Sequence, residues 1–123
     1  MILLLLALAC FLPVDGRWEG ACDLSDGSNG EPLFLSLDLK AGLGRKVRAT
    51  GEATLTSRGL YPVSFEGERT STALHLEGSI PLEDGEVELW LQAAQDGPEL
   101  EGACRLWVPG ATSAIPGEVE LSR

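Results

Sequence analysis

From residue 16 onward, apolar and polar side chains alternate with a period of two, and no stretch long enough for an ordinary helix carries an i, i+3, i+4 stripe. The clearest segment is LFLSLDLK, where Leu33, Leu35, Leu37 and Leu39 share one face and Ser36, Asp38 and Lys40 the other. KVRATGEATL does the same, with Val47, Ala49, Gly51, Ala53 and Leu55 opposed to Arg48, Thr50, Glu52 and Thr54. Further strands are predicted over 18–24, 61–65, 74–80, 87–91, 100–108 and 119–121. Their inward residues are Trp18, Gly20, Cys22 and Leu24; Tyr61, Val63 and Phe65; Leu74, Leu76, Gly78 and Ile80; Val87, Leu89 and Leu91; Leu100, Cys104, Leu106 and Val108; and Val119 with Leu121. Turn-forming runs separate them: SDGSNGEP, AGLG, PLEDG, QDGP and VPGATSAIPG. Links this short join antiparallel neighbours. The expected fold is all-β, a single up-and-down antiparallel meander of about eight strands closed into a barrel, with an open β-sandwich of the same strands as the alternative.

Turn lengths suggest a register. A tight hairpin at Asp96-Gly97 would set Glu88 opposite Arg105 and Leu89 opposite Cys104, and a four-residue turn over 81–84 would align Ile80 with Gly85, Gly78 with Val87 and Leu76 with Leu89. The run Glu-Gly-Ala-Cys occurs twice, before Cys22 and before Cys104, and in both copies the glycine and cysteine share the apolar phase while the glutamate points to water. Inward glycine lets a strand coil sharply without crowding a small interior, and Gly51, Gly78 and Gly117 recur in the same role.

The first residues have a different texture. Ile2 to Leu12 are continuously apolar, too short to span a membrane as a helix and of the length of a secretory leader. Ala7 and Ala9 are the small residues that leader cleavage prefers, and a cut before Cys10 resembles the lipobox of bacterial lipoproteins, in which that cysteine carries the lipid. Residues 1–15 are therefore expected to be a leader with a short linker, and 16–123 the barrel domain. The cysteine count is odd, and with Cys10 lipidated or removed one pair remains, Cys22 with Cys104. A disulfide closing so long a loop could stabilise the fold by roughly 4 kcal/mol. It also implies an oxidising compartment: the periplasm or outer membrane through a lipid anchor, or the exterior of the cell.

Charge narrows the partners. Nineteen acidic against nine basic side chains give a net charge of -10, which repels nucleic acid and anionic membrane surfaces, leaving a membrane connection only through the lipid. The sole histidine, His75, falls in the outward phase, so neither a His-based metal site nor a Ser-His-Asp site can be assembled around it. The carboxylate pairs Glu86/Glu88, Glu99/Glu101 and Glu118/Glu120 lie on the solvated face, away from the apolar surroundings that an acid catalyst needs. DLSDGSNGE, with Asp23, Asp26, Asn29 and Glu31, is oxygen-rich like a calcium loop but lacks the EF-hand order. No catalytic, metal or cofactor site is expected, and the chain is not read as an enzyme.

"GRW" at Gly16 to Trp18 and "VELSR" ending at Arg123 resemble the calycins, the group of lipocalins, fatty-acid-binding proteins, avidins and some bacterial protease inhibitors. In that group a Gly-x-Trp begins the first strand of an eight-stranded barrel, and in lipocalins an Arg near the end of the last strand packs over the Trp. The resemblance implies that Trp18 and Arg123 stack at a closed end. The chain has neither the lipocalin C-terminal helix nor the two-helix lid of fatty-acid carriers, and no polar biotin set in the avidin order.

Trp90 and Trp107 fall in the polar phase of neighbouring strands. Outward indoles on an acidic barrel mark either a contact surface or a local cluster on the outer face. The expected protein is an exported bacterial envelope barrel that acts by binding, with a small apolar ligand held inside. The alternative is a protein-binding module, such as a hydrolase inhibitor, that uses Trp90 and Trp107.

Overall fold

The structure, a computed structural model, describes residues 13–24, 32–55, 59–82, 85–108, 110 and 112–123. The leader with Cys10, and Asp26, Asn29 and Glu31 of the acidic loop, lie outside the described residues.

Eight strands follow one another around a closed barrel: β1 (Gly16–Leu24), β2 (Leu33–Ala41), β3 (Lys46–Leu55), β4 (Gly59–Arg69), β5 (Ala73–Leu82), β6 (Gly85–Asp96), β7 (Glu99–Trp107) and β8 (Ile115–Ser122). Every neighbouring pair is antiparallel, and β1 closes on β8 through a ladder from Glu19↔Ser122 to Leu24↔Gly117. That ladder excludes the open sandwich. The strands are steeply staggered: the chain of partners from Leu24, at the top of β1, runs through Gly117, Cys104, Leu91, Leu76, Gly67 and Val47 to Ala41, at the bottom of β2. Tilt of this kind is what closure of a small barrel demands.

The inward phase is the one the alternation predicts. Leu33, Leu35, Leu37, Leu39, Ala49, Ala53, Phe65, Leu74, Leu76, Ile80, Leu89, Leu91, Leu100, Val119 and Leu121 are all at most 2% exposed. Among the described residues no polar or charged side chain is buried. Val108 departs from the expectation. β7 ends at Trp107, and Val108 is left 40% exposed.

The register differs from that expected, by two residues at both hairpins. Leu91, not Leu89, faces Cys104, and Arg105 faces Trp90 in place of Glu88. The loop pair is Gly97-Pro98, with Asp96↔Glu99 as the last rung. Gly97 has φ 63°, and a positive-φ glycine followed by proline is the order of a type II′ hairpin. At the next hairpin pairing continues through Leu82↔Gly85, so Ile80 meets Val87, Gly78 meets Leu89 and Leu76 meets Leu91.

Cys22 and Cys104 form a disulfide, with Cα atoms 6.2 Å apart. Their strands are not neighbours, because β8 runs between β7 and β1. The bridge passes over Gly117, which pairs with Cys104; a Cβ there would lie 3.0 Å from the Cys104 Sγ and 2.6 Å from the Asp23 carbonyl oxygen. The sheet coils sharply enough at this point to bring the two thiols within bonding reach, and glycine is what leaves them room.

Candidate functional site

The two ends of the barrel differ. At the lower end Trp18 is buried and its Nε1–H donates to the Val14 carbonyl at 2.9 Å. The Arg123 guanidinium lies over the indole, 4.6 Å from Cζ to the ring centroid, and donates to the Pro13 carbonyl. Val14 is wholly buried among the core residues, and the Asp15 carboxylate accepts from the Ala41 N–H at 2.8 Å. Residues 13–15 thus fold back beneath the strands and stop this end with an indole, a valine and a stacked cation.

At the upper end the inward side chains are less well covered. Leu24, Val63 and Leu106 retain 7–9% exposure, and Leu55, Tyr61, Leu82 and Ile115 pack on the core while only partly buried. The mouth is also split on one side. The β4–β5 ladder stops at Ser64↔Ser79, so the top of β4 pairs with β3 alone and the top of β5 with β6 alone. Pro62 and Pro81 stand in these segments and have no N–H with which to extend the ladder. At this end the described inward side chains are packed on the core but only partly covered.

Trp90 and Trp107 both project from the outer wall and are half-buried there. Trp90 lies between Arg105, whose Cζ is 5.3 Å from the ring centroid, and His75, whose ring is 5.4 Å away at 58°. His75 in turn places Nε2 3.4 Å from a carboxylate oxygen of Glu77. A local outer-face cluster therefore accounts for much of the burial of Trp90. Trp107 has no ring, ion or hydrogen-bond partner among the described residues. Both indoles border a concavity that also takes in Ser64, Glu66, Glu77, Ser79 and Glu88.

A broader, acidic dent crosses β7, β8, β1, β2 and β3, with Glu19, Asp23, Glu52, Glu101, Glu118 and Glu120 around it and the exposed Phe34 at its border. Near it the carboxylates of Glu99, Glu101 and Glu120 come within 4.8 Å of one another. Loss of water around its carboxyl, together with the hydrogen bond and charge of Glu99 and the charge of Asp96, raises Glu101 above the usual carboxylate range. Glu86, Glu88, Glu118 and Glu120 are exposed on the outer wall, Glu88 beside the concavity of the two indoles and Glu118 and Glu120 at the acidic dent.

Sequence alternation identified the outward tryptophans, and the calycin resemblance pointed to the terminal arginine over Trp18. Neither gave any sign of Pro13, Val14 and Asp15 as part of the lower stopper, or of Ser64 and Ser79 as the floor of a groove, because these roles depend on which strands become neighbours.

No protein-family model matches the chain, and no curated protein matches it. Solved structures do. EF1p2_mFAP2b, bound to DFHBI, superposes with a TM-score of 0.72 at 11% identity, covering 89% of this chain and 93% of that one. The redesigned beta barrel mFAP1, also bound to DFHBI, gives 0.65 at 13% identity over 89% and 94%. At such identities the likeness concerns the fold alone, a small eight-stranded antiparallel β-barrel.

Proposed function

We propose that this protein is an exported binding barrel that holds a small apolar ligand at its upper end, above the packed leucine layers. The observation that carries the reading is the difference between the ends: one stopped by Trp18, Val14 and Arg123, the other ringed by partly covered Leu55, Tyr61, Leu82 and Ile115. Apolar walls at the mouth of a barrel suit a ligand of this class. The DFHBI held by both solved neighbours supports a small-molecule role for the architecture. Catalysis is not part of the reading. The Cys22–Cys104 disulfide is consistent with an oxidising compartment. A lipid on Cys10, anchoring the barrel in the bacterial envelope, completes the proposal, and intact mass of the membrane-fraction protein with and without reductant reads lipid and disulfide together.

The mouth is tested by titration with the neutral apolar dye N-phenyl-1-naphthylamine. Saturable fluorescence enhancement is expected, and it should be lost in Leu82→Glu and Ile115→Glu variants that melt like the wild type. A dye response that never saturates, or that survives both substitutions, would remove the mouth as the site. The packed interior suits the second reading as well, a protein-binding module such as a hydrolase inhibitor, with the outer tryptophans as contact surface.

A further inference from the structure

Outward side chains on β4 to β7 form two ordered rows across the strands. One runs Ser64↔Ser79↔Glu88↔Trp107 and the other Glu66↔Glu77↔Trp90↔Arg105. The two serines are short, so the wall dips between them and the taller residues, leaving a concavity of about 530 Å³. Its rim is chemically specific: two indoles on one side and the carboxylates of Glu66, Glu77 and Glu88 around the rest.

The arrangement is unfavourable as it stands. Glu66 and Glu77 are direct cross-strand partners, and like charges in that position destabilise a sheet. The cation near Glu66 is Arg48, with Nη2 3.9 Å from the carboxylate and both side chains more than 70% exposed, too loose to offset much. Glu77 has only His75 beside it, and Glu88 has no ion-pair partner among the described residues. Other like-charge partners occur on this sheet, among them Asp23↔Glu118, Glu101↔Glu120 and Asp96↔Glu99, but the Glu66↔Glu77 pair is the one that borders a concavity shared with two indoles.

We propose that this concavity binds an organic cation, an ammonium or guanidinium head seated against the Trp107 and Trp90 rings and neutralised by Glu77 and Glu88. The chemistry is already practised on the same wall, where the Arg105 guanidinium occupies one approach to Trp90. Trp107, the second indole, carries no such partner among the described residues. An aromatic face attracts a cation through its quadrupole, and flanking carboxylates add charge. An anion is excluded by the three glutamates. A bare metal ion fits poorly, because these carboxylates are not among the acidic groups whose oxygens converge within 4.8 Å. The site is independent of whether the mouth takes an apolar ligand.

The test follows the tryptophan indole N–H resonances of the full chain during titration with tetramethylammonium chloride and with argininamide, against sodium chloride at equal ionic strength. The Trp90 and Trp107 signals should move along saturable curves while buried Trp18 stays still. Trp107→Ser and Glu88→Gln should each weaken binding by about tenfold without lowering the melting temperature. Saturation by either cation supports the site, and saturation by argininamide alone shows that the head must donate N–H hydrogen bonds to the carboxylates. Shifts no larger than those in sodium chloride, or variants that bind as the wild type does, would overturn it. Repeating the titration with the naphthylamine dye present separates this groove from the mouth.

Discussion

At Gly51 the smallest side chain is a requirement of closure. A Cβ there would run into the Ser36 carbonyl oxygen of the neighbouring strand, which is backbone and has nowhere to move. Gly51→Ala is expected to cost about 3 kcal/mol or more, read from the midpoint of urea unfolding. Trp18 is constrained differently: its indole N–H meets the Val14 carbonyl, and its face carries Arg123. Trp18→Phe keeps most of the apolar volume but leaves that carbonyl without a partner in a buried place, an expected loss of about 2 kcal/mol by the same assay. The inward direction of both residues is legible in the alternation of their strands. The identity of the atoms they approach is not, since Ser36 and Val14 enter only when strands and termini pack.

Strands show the same division. Each segment's phase could be read from its own residues, Leu33 to Leu39 most plainly, but two hairpin registers came out two residues from the expected ones. A slip of two is the smallest that keeps every apolar side chain inside, so alternation cannot detect it. Turn chemistry decides instead: Gly97-Pro98 forms the loop, and the aligned pair becomes Trp90 with Arg105, where an indole gains a cation. Because Gly97 holds φ 63°, Gly97→Val is expected to lower stability by about 1–2 kcal/mol, seen as a lower melting temperature. Asp96 and Glu99 form the last rung of this hairpin, and their charges contribute to the raised Glu101 carboxyl.

The whole molecule is a barrel held by one covalent tie and strained by its own charge. Removing the Cys22–Cys104 bridge through a double alanine variant should cost about 4 kcal/mol, observed as a melting temperature that no longer responds to reductant. Glu101 makes the charge effect measurable. Its carboxyl binds a proton more tightly in the folded chain than in the unfolded one, so stability falls as pH rises through the window above the ordinary glutamate value. Glu101→Gln should therefore raise the melting temperature at pH 7. The gain should vanish below about pH 4, where the carboxyl is protonated in both states, and shrink as added salt screens Glu99 and Asp96. A Glu101→Gln protein less stable than the wild type at pH 7 would contradict this account.

By itself the sequence determined which side chains are dry and which are wet, that the elements are strands, that the two inward cysteines could meet, and that the surface is acidic. These are local properties, written in a period of two and in composition. Only the tertiary structure decided the stagger of the strands, the stopper at the lower end, the packing of the interior, and the meeting of two serines, three glutamates and two tryptophans in one groove. Register and closure depend on contacts between residues far apart in the chain, and shifts that preserve the in-out alternation leave no trace in the pattern.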